Sequence, residues 1–265
     1  MINHFFGFTR KPFSKTIISE ELFPGRDYQN LAERLKYFLT EGGIFLLTGS
    51  IGTGKTTALR RFAASINPNT HSVIYIAETF DRKRDFYRAM LSQCGIKPPY
   101  LTGDCKGMLK KHILDLHLTK RITPVFILDE AQNYPAFVLE EIRLLSNFDF
   151  DSSSPALFII AGHRLLTQRI NLHENEALRQ RISLKFNLEG MSIEDTCAYI
   201  SHRLEKSGSA GRIFADPVLV KIHEEAAGIP RMINTICNAL LLSAVIAEKK
   251  IIDEHLFEQT RNEWR

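Results

Sequence analysis

The sequence predicts an α/β fold in which a parallel sheet with flanking helices is followed by a purely helical region, and three stretches carry that expectation. The first is Ile44 to Thr57, IFLLTGSIGTGKTT. Its apolar start (Ile44, Phe45, Leu46, Leu47) has the make-up of a buried strand, and Leu59, Phe62 and Ala63 then recur at helical spacing. The second is Pro124-Val-Phe-Ile-Leu-Asp129-Glu130, another buried strand, ending in two carboxylates. The third runs from Met191 onward, where strand signals stop and helix starts and stops alternate. The boundary is therefore expected at 190/191: an α/β domain with an N-terminal arm over 1–190 and a helical lid over 191–265.

Between the first strand and its helix, Gly49-Ser50-Ile51-Gly52-Thr53-Gly54-Lys55-Thr56 fits G-x-x-x-x-G-K-[ST] without a mismatch. Strand, loop and helix in that order are what a phosphate-binding loop needs. Glycines let the backbone curl so that N–H groups from Gly49 through Ser50, Gly52, Thr53, Gly54, Thr56 and Thr57 cradle phosphates, and the helix N-terminus adds partial positive charge. Lys55 is expected on the β- and γ-phosphates of ATP, and the Thr56 hydroxyl on Mg²⁺. Asp129, at the C-terminal edge of its strand where ligands of open parallel sheets bind, is expected to hold Mg²⁺ directly or through water. Glu130 beside it is placed to orient and deprotonate water. The acidic pair lies 74 residues beyond Lys55; together the two motifs predict ATP hydrolysis rather than binding alone.

In chain order, the opening MINHFFGFTRKPFS interleaves phenylalanines with Gly7 and Pro12, so it is expected to pack as an irregular arm rather than a regular helix. Tyr28 to Thr40 carries Leu31, Leu35, Phe38 and Leu39 on one helical stripe. Phe23 to Asp27, just ahead of it, are placed to line an adenine pocket. Val73 to Ala77 is a second strand, Lys83 to Cys94 a helix, and Lys106 to Leu118 another with Leu109, Ile113 and Leu116 inward. Ala156 to Ala161 is a strand ending at Gly162-His163. His163 has two readings, a sensor of the γ-phosphate or a residue starting a helix over the strand end. Arg179 and Arg181 precede the alternating strand Ser183 to Leu188, and an arginine at a sheet edge reaches a neighbour's nucleotide more easily than its own; Arg181 is preferred as that finger. In the helical region Ser192-x-x-Asp195 opens a helix to Lys206, Asp216-Pro217 caps and starts a second, Gly228-Ile-Pro-Arg231 opens a third with Leu240, Leu241 and Ile246, and Asp253 begins the last.

Charge and cysteines narrow the class. Net charge is +4, but Asp81 to Arg121 holds ten Lys or Arg against four Asp, leaving the remainder slightly acidic. Such a local excess suits a phosphate-backbone contact, or simply a solvated helix face. Four scattered cysteines without C-x-x-C spacing point to reduced thiols, neither a disulfide framework nor a zinc site. No apolar run has membrane-spanning length and the start lacks signal-peptide order, so a soluble protein of the bacterial cytoplasm, without a membrane partner, is expected.

With TGSIGTGKTT, VFILDE, GHRLL, LRQRISLKFNLEGMS and GIPRMIN assembled, the chain resembles AAA+ ATPases of the P-loop NTPase class; FFGFTRKPF, DEAQ and GIPR make it most similar to the ExeA family. That family contains secretion ATPases and, more distantly, transposition ATPases of the TnsC, TniB and MuB kind. The resemblance implies a five-stranded parallel sheet in the order 5-1-4-3-2 with a C-terminal helical lid, nucleotide between them, and a homo-oligomeric ring or filament whose sites are completed in trans. It makes Arg231 the sensor-2 arginine and Arg181 the finger, while His163 stands where the family often has an amide or hydroxyl. Secretion members carry a membrane span and a further domain after the ATPase, which this chain does not show. The expectation therefore leans to an ATP-dependent, DNA-binding regulator of transposition that assembles with ATP, recruits a transposase and disassembles on hydrolysis. Its contacts to double-stranded DNA, weakly sequence-selective, are expected at Arg82, Lys83, Lys106 and Lys110, with Lys111 in reserve. The alternative is a secretion-pathway ATPase acting on a protein partner without DNA.

Overall fold

Strands apolar on both faces can lie only inside a sheet that is covered on both sides. In the computed structural model, which describes residues 1–14, 21–148, 154–209 and 211–264, five parallel strands form one sheet. They are β1 (Ile44–Gly49), β2 (His71–Ile76), β3 (Thr123–Leu128), β4 (Leu157–Ala161) and β5 (Ile182–Leu188), in the order 2-3-4-1-5. This is the expected order taken from the other edge. β1 and β4 are buried at every position and β3 at all but its first, and these three take the central places. β5 is an edge strand and alternates between half-buried and exposed up to its buried end, Leu188. Thus the uninterrupted apolar runs became central strands and the alternating run an edge.

The helices are α1 (Ile2–Phe6), α2 (Arg26–Glu41), α3 (Lys55–Ser65), α4 (Lys83–Gln93), α5 (Thr102–Leu114), α6 (Ala136–Leu145), α7 (Arg164–Ile170), α8 (Glu176–Gln180), α9 (Ile193–Lys206), α10 (Asp216–Ala226), α11 (Pro230–Ile246) and α12 (Glu254–Thr260). The chain divides into two compact units. One comprises Leu31–Gly49 with Lys55–Leu188, the other Met1–Asn30, Ser50–Gly54 and Glu189–Arg265.

In the sheet unit, alternation along each strand sends Ile44, Leu46, Phe126, Leu128, Phe158 and Ile160 to one face, where they share a core with buried residues of α4 to α8. Phe126 and Phe158, opposite each other across β3 and β4, stack at 5.3 Å. On the other face Phe45 meets Phe38 of α2 edge-on at 5.4 Å. Helices α6 and α8 have no counterpart among the expected elements.

The helical unit has its own core, from Tyr199, Ile200 and Leu204 of α9 through Val218, Ile222, Ile233, Ile236 and Leu240 to Leu256 and Phe257. Two helix starts are as expected: the Ser192 hydroxyl accepts from the Asp195 N–H at 3.1 Å, and the Asp253 carboxylate from the Leu256 N–H at 2.8 Å. Asp216 is not a cap. It is the first helical residue, after Ala215, with Pro217 behind it. Ile246 is exposed rather than in the core.

The N-terminal arm corrects the expected division. It was placed with the sheet, yet Phe8 and Phe13 belong to the helical core. Its first residues form the short α1, closed by Gly7 in a left-handed conformation. The anchor is Arg203 of α9, 6% exposed, whose guanidinium donates to the carbonyls of Pro12 at 2.6 Å and Ser14 at 2.9 Å. An arginine fork satisfies two stranded carbonyls at once, which an aromatic-rich, breaker-containing segment cannot do for itself.

Candidate active site

At the C-terminal ends of the central strands the sheet unit gathers Lys55, Thr56, Asp129 and Glu130. Lys55, first residue of α3, is buried at 8% exposure, and its Nζ donates to the Gly49 carbonyl at 2.9 Å. Thr56 Oγ1 donates to Asp129 Oδ2 at 2.7 Å. Asp129 is 1% exposed, and its Oδ1 accepts from the Glu130 N–H at 2.9 Å. A hydroxyl and a carboxylate oxygen side by side are the hard oxygen donors that Mg²⁺ takes, so the two residues expected to hold the metal fit it. Thr57, the next residue of α3, is half-buried.

Two residues here escaped the sequence reading. Tyr75 of β2 donates its hydroxyl to Asp129 Oδ2 at 3.0 Å. Burial, and then the Asp129 charge, push the Tyr75 phenol well above its ordinary range, so at neutral pH it remains a donor. Gln132, 8% exposed, donates to Glu130 Oε2 at 2.6 Å. The signal for Gln132 was in the DEAQ stretch, used only as a resemblance; Tyr75 left none, because its partner is on a different strand.

His163 has the helix-starting place that its second reading expects. It caps α7, its Nδ1 accepting from the Leu165 N–H at 3.4 Å, and its own N–H donates to Gln132 Oε1 at 3.1 Å.

Within the other unit, loop residues Ser50–Gly54 lie beside the start of α11. Thr53 Oγ1 donates to the Ser50 carbonyl at 2.9 Å, and the Arg231 N–H donates to the Gly52 carbonyl at 3.3 Å. Gly52 has φ +88°, and a Cβ there would sit 2.8 Å from Arg231 Cβ; both backbone conformation and space demand glycine. Gly54 follows with φ +100°.

Arg181 closes α8 and directly precedes the edge strand β5. Arg179 is a loose 4.0 Å partner of Glu176, a separation at which an ion pair contributes little.

The basic stretch contains a cluster of ion pairs. Lys83 and Lys106, two of the residues expected on DNA, converge at 2.9 and 2.8 Å on Glu141 of α6, whose side chain is 4% exposed, and the Tyr87 hydroxyl donates to the same carboxylate. Burial raises the Glu141 carboxyl, but hydrogen bonds from Lys106, Tyr87 and Lys83 outweigh it and hold it down at about 2. Lys83, itself exposed, and the half-buried Lys106 thus serve as counter-ions of a buried carboxylate. Lys110 lies 5.3 Å over the Phe148 ring. Arg82 and Lys111 are exposed.

A parallel sheet in this order, with a glycine-rich loop after β1 and an acidic pair after β3, defines a P-loop nucleotide-binding fold of the AAA+ type. Residues 39–170 match the family model described as AAA domain. Among individual proteins, it is 32% identical over 249 residues to general secretion pathway protein A of Aeromonas hydrophila, a match covering 92% of this chain and 45% of the relative. The chain thus spans less than half the length of that relative. The solved structure of Cdc6p from Pyrobaculum aerophilum superposes with a TM-score of 0.71 at 17% identity, covering 95% of this chain and 70% of that one. RuvB of Thermotoga maritima does so with a TM-score of 0.58 at 16% identity, over 88% and 66%. These two likenesses concern the fold. Among the described residues no helix is long and apolar enough to cross a membrane.

Proposed function

We propose that the chain is an ATP-hydrolysing module of the general secretion pathway protein A type, acting in the bacterial cytoplasm on a protein partner. The carrying observation is the contact of Thr56 with Asp129, with Glu130 next in the chain. Loop N–H groups from Gly49 to Thr57 would hold the phosphates and Lys55 would neutralise the β- and γ-oxygens. Thr56 and Asp129 would hold Mg²⁺, which supplies charge neutralisation and orientation of the triphosphate. Glu130 would take a proton from water as the water oxygen bonds to the γ-phosphorus and the bond to the β-phosphate oxygen breaks, leaving ADP and phosphate. Arg231, in the first turn of α11, would meet the γ-phosphate, and Arg181 would serve a neighbouring copy of the chain. The secretion reading is preferred to the transposition reading because the similarity over 92% of this chain is to a secretion protein, and because two of the four lysines and arginines expected on DNA are paired with Glu141.

Phosphate release and nucleotide retention by wild type and Glu130→Gln test the chemistry: the variant is expected to bind ATP and hydrolyse it about a hundredfold or more slowly. Equal rates would place the base elsewhere. Fluorescence anisotropy on duplex DNA, with and without an ATP analogue, tests the partner class. No ATP-dependent binding is expected; tight binding with a steep salt slope would restore the transposition reading. Mixing Arg181→Ala with Glu130→Gln, each inactive alone, tests the finger: interfaces with both groups intact are expected to recover hydrolysis, and no recovery from mixed oligomers would remove Arg181 from the neighbour's site.

A further inference from the structure

Glu130 is held from two sides. Its φ of +53° is left-handed, a conformation a non-glycine residue keeps only when its surroundings impose it. On the backbone side, its N–H is tied to Asp129 Oδ1 at 2.9 Å. On the side-chain side, its Oε2 accepts from Gln132 Nε2 at 2.6 Å.

The orientation of the Gln132 amide follows from its own contacts. Its Oε1 accepts from the His163 main-chain N–H at 3.1 Å, and a backbone N–H can only donate, so the oxygen must face β4 and the NH₂ must face Glu130. There is room because residue 162 is glycine: a Cβ there would lie 2.6 Å from Gln132 Oε1. Lower down, the Gln132 carbonyl accepts from Arg169 Nη1 of α7 at 2.8 Å. A buried amide whose oxygen and carbonyl are both locked to the end of β4 and to α7 can present its NH₂ in only one direction.

We propose that Gln132 is the positioning residue of the hydrolytic step, aiming the Glu130 carboxylate at the attacking water and referring that aim to the end of β4. This rests on the ATPase reading above. Gln132 touches no reacting atom; it acts through Glu130. Because general-base catalysis depends on near-contact geometry, a carboxylate released to swing by an ångström or more is expected to cost about a hundredfold in rate while leaving phosphate binding alone.

Gln132→Ala is expected to lower kcat by about ten- to a hundredfold with KM for ATP changed less than about twofold. Gln132→Glu keeps the shape and the bond from His163 but sets a second carboxyl against Glu130, and two such groups at hydrogen-bond distance share a proton. The acid limb of its rate profile is therefore expected to move upward by about one pH unit or more, which a packing role alone would not produce. A third readout needs no turnover: exchange of the His163 amide hydrogen, followed by NMR, is expected to speed up about tenfold or more in Gln132→Ala, since its acceptor is gone. Hydrolysis that is lost in Glu130→Gln but unmoved in rate and pH profile by both Gln132 variants overturns the inference alone, as does an unchanged His163 amide. No hydrolysis by wild type overturns the ATPase reading and this inference together.

Discussion

The two units bury charge for opposite purposes. Among the described residues of the sheet unit, the buried side chains of charged type are Lys55, Asp129 and Glu141. The first two sit near the C-terminal ends of β1 and β3, whereas Glu141 clasps α4, α5 and α6 through Lys83, Tyr87 and Lys106. Among the described residues of the helical unit Arg203 is the buried charge, and it donates to main-chain carbonyls of the arm. Lys55 and Asp129 stand where the phosphates and metal are expected, whereas Glu141 and Arg203 are spent on partners from other segments and tie them together. The contrast therefore separates side chains whose loss stops a reaction from those whose loss loosens a fold.

The sharpest break is Lys55→Ala. It removes the cation placed for the β- and γ-phosphates, so binding of a fluorescent ATP analogue is expected to disappear, with little change in the urea midpoint. Micromolar affinity retained in that variant would mean that Lys55 is only a structural partner of Gly49.

Arg203→Ala is expected to do the reverse. It strands the carbonyls of Pro12 and Ser14 and empties the space of a large side chain, at a cost of about 3 to 4 kcal/mol in denaturant unfolding. Arg203→Lys is not expected to rescue it, since one ammonium cannot span both carbonyls as the fork does. If lysine restores wild-type stability, the arm is not held by the fork.

Glu141→Gln falls between. The Glu141 carboxyl is lowered in the folded chain from an ordinary 4.5 to about 2. For a depressed carboxyl the stabilisation is complete above the unfolded value and fades as pH drops through the folded one. A cost of about 2 to 3 kcal/mol is expected at pH 7, shrinking between pH about 4.5 and about 2, where variant and wild type should converge. Parallel stability curves across that window would show that the clasp carries no linked proton. The smallest effect is Ser192→Ala, about 1 kcal/mol for a lost helix cap, read as a small shift of the urea midpoint.

Legibility followed the range of the interactions. β1, β3 and β4 could be placed because a strand covered on both faces must be apolar at successive positions, and the loop because G-x-x-x-x-G-K-T is contiguous. β5 showed its edge position by alternating, and the Ser192 and Asp253 caps were legible because a cap spans three residues. Helix α6 was missed although it is apolar, since it follows a loop with no capping residue ahead of it. His163 was open between two roles because the residue that claims its N–H, Gln132, is 31 positions away.

The sequence by itself determined the sheet with its central strands, the loop with Lys55 and Thr56, the acidic pair, and most helix starts, because each depends on a local period or a contiguous motif. Only the tertiary structure decided that the arm joins the helical core, that Lys83 and Lys106 serve Glu141, that Tyr75 supports Asp129, and that Gln132 holds Glu130. Each of those is a meeting of side chains from elements distant in sequence or, for Gln132, an amide orientation set by β4. Hydrogen bonds and ion pairs choose partners by distance and burial after the chain has folded, and residue type alone does not say which lysine will find which carboxylate.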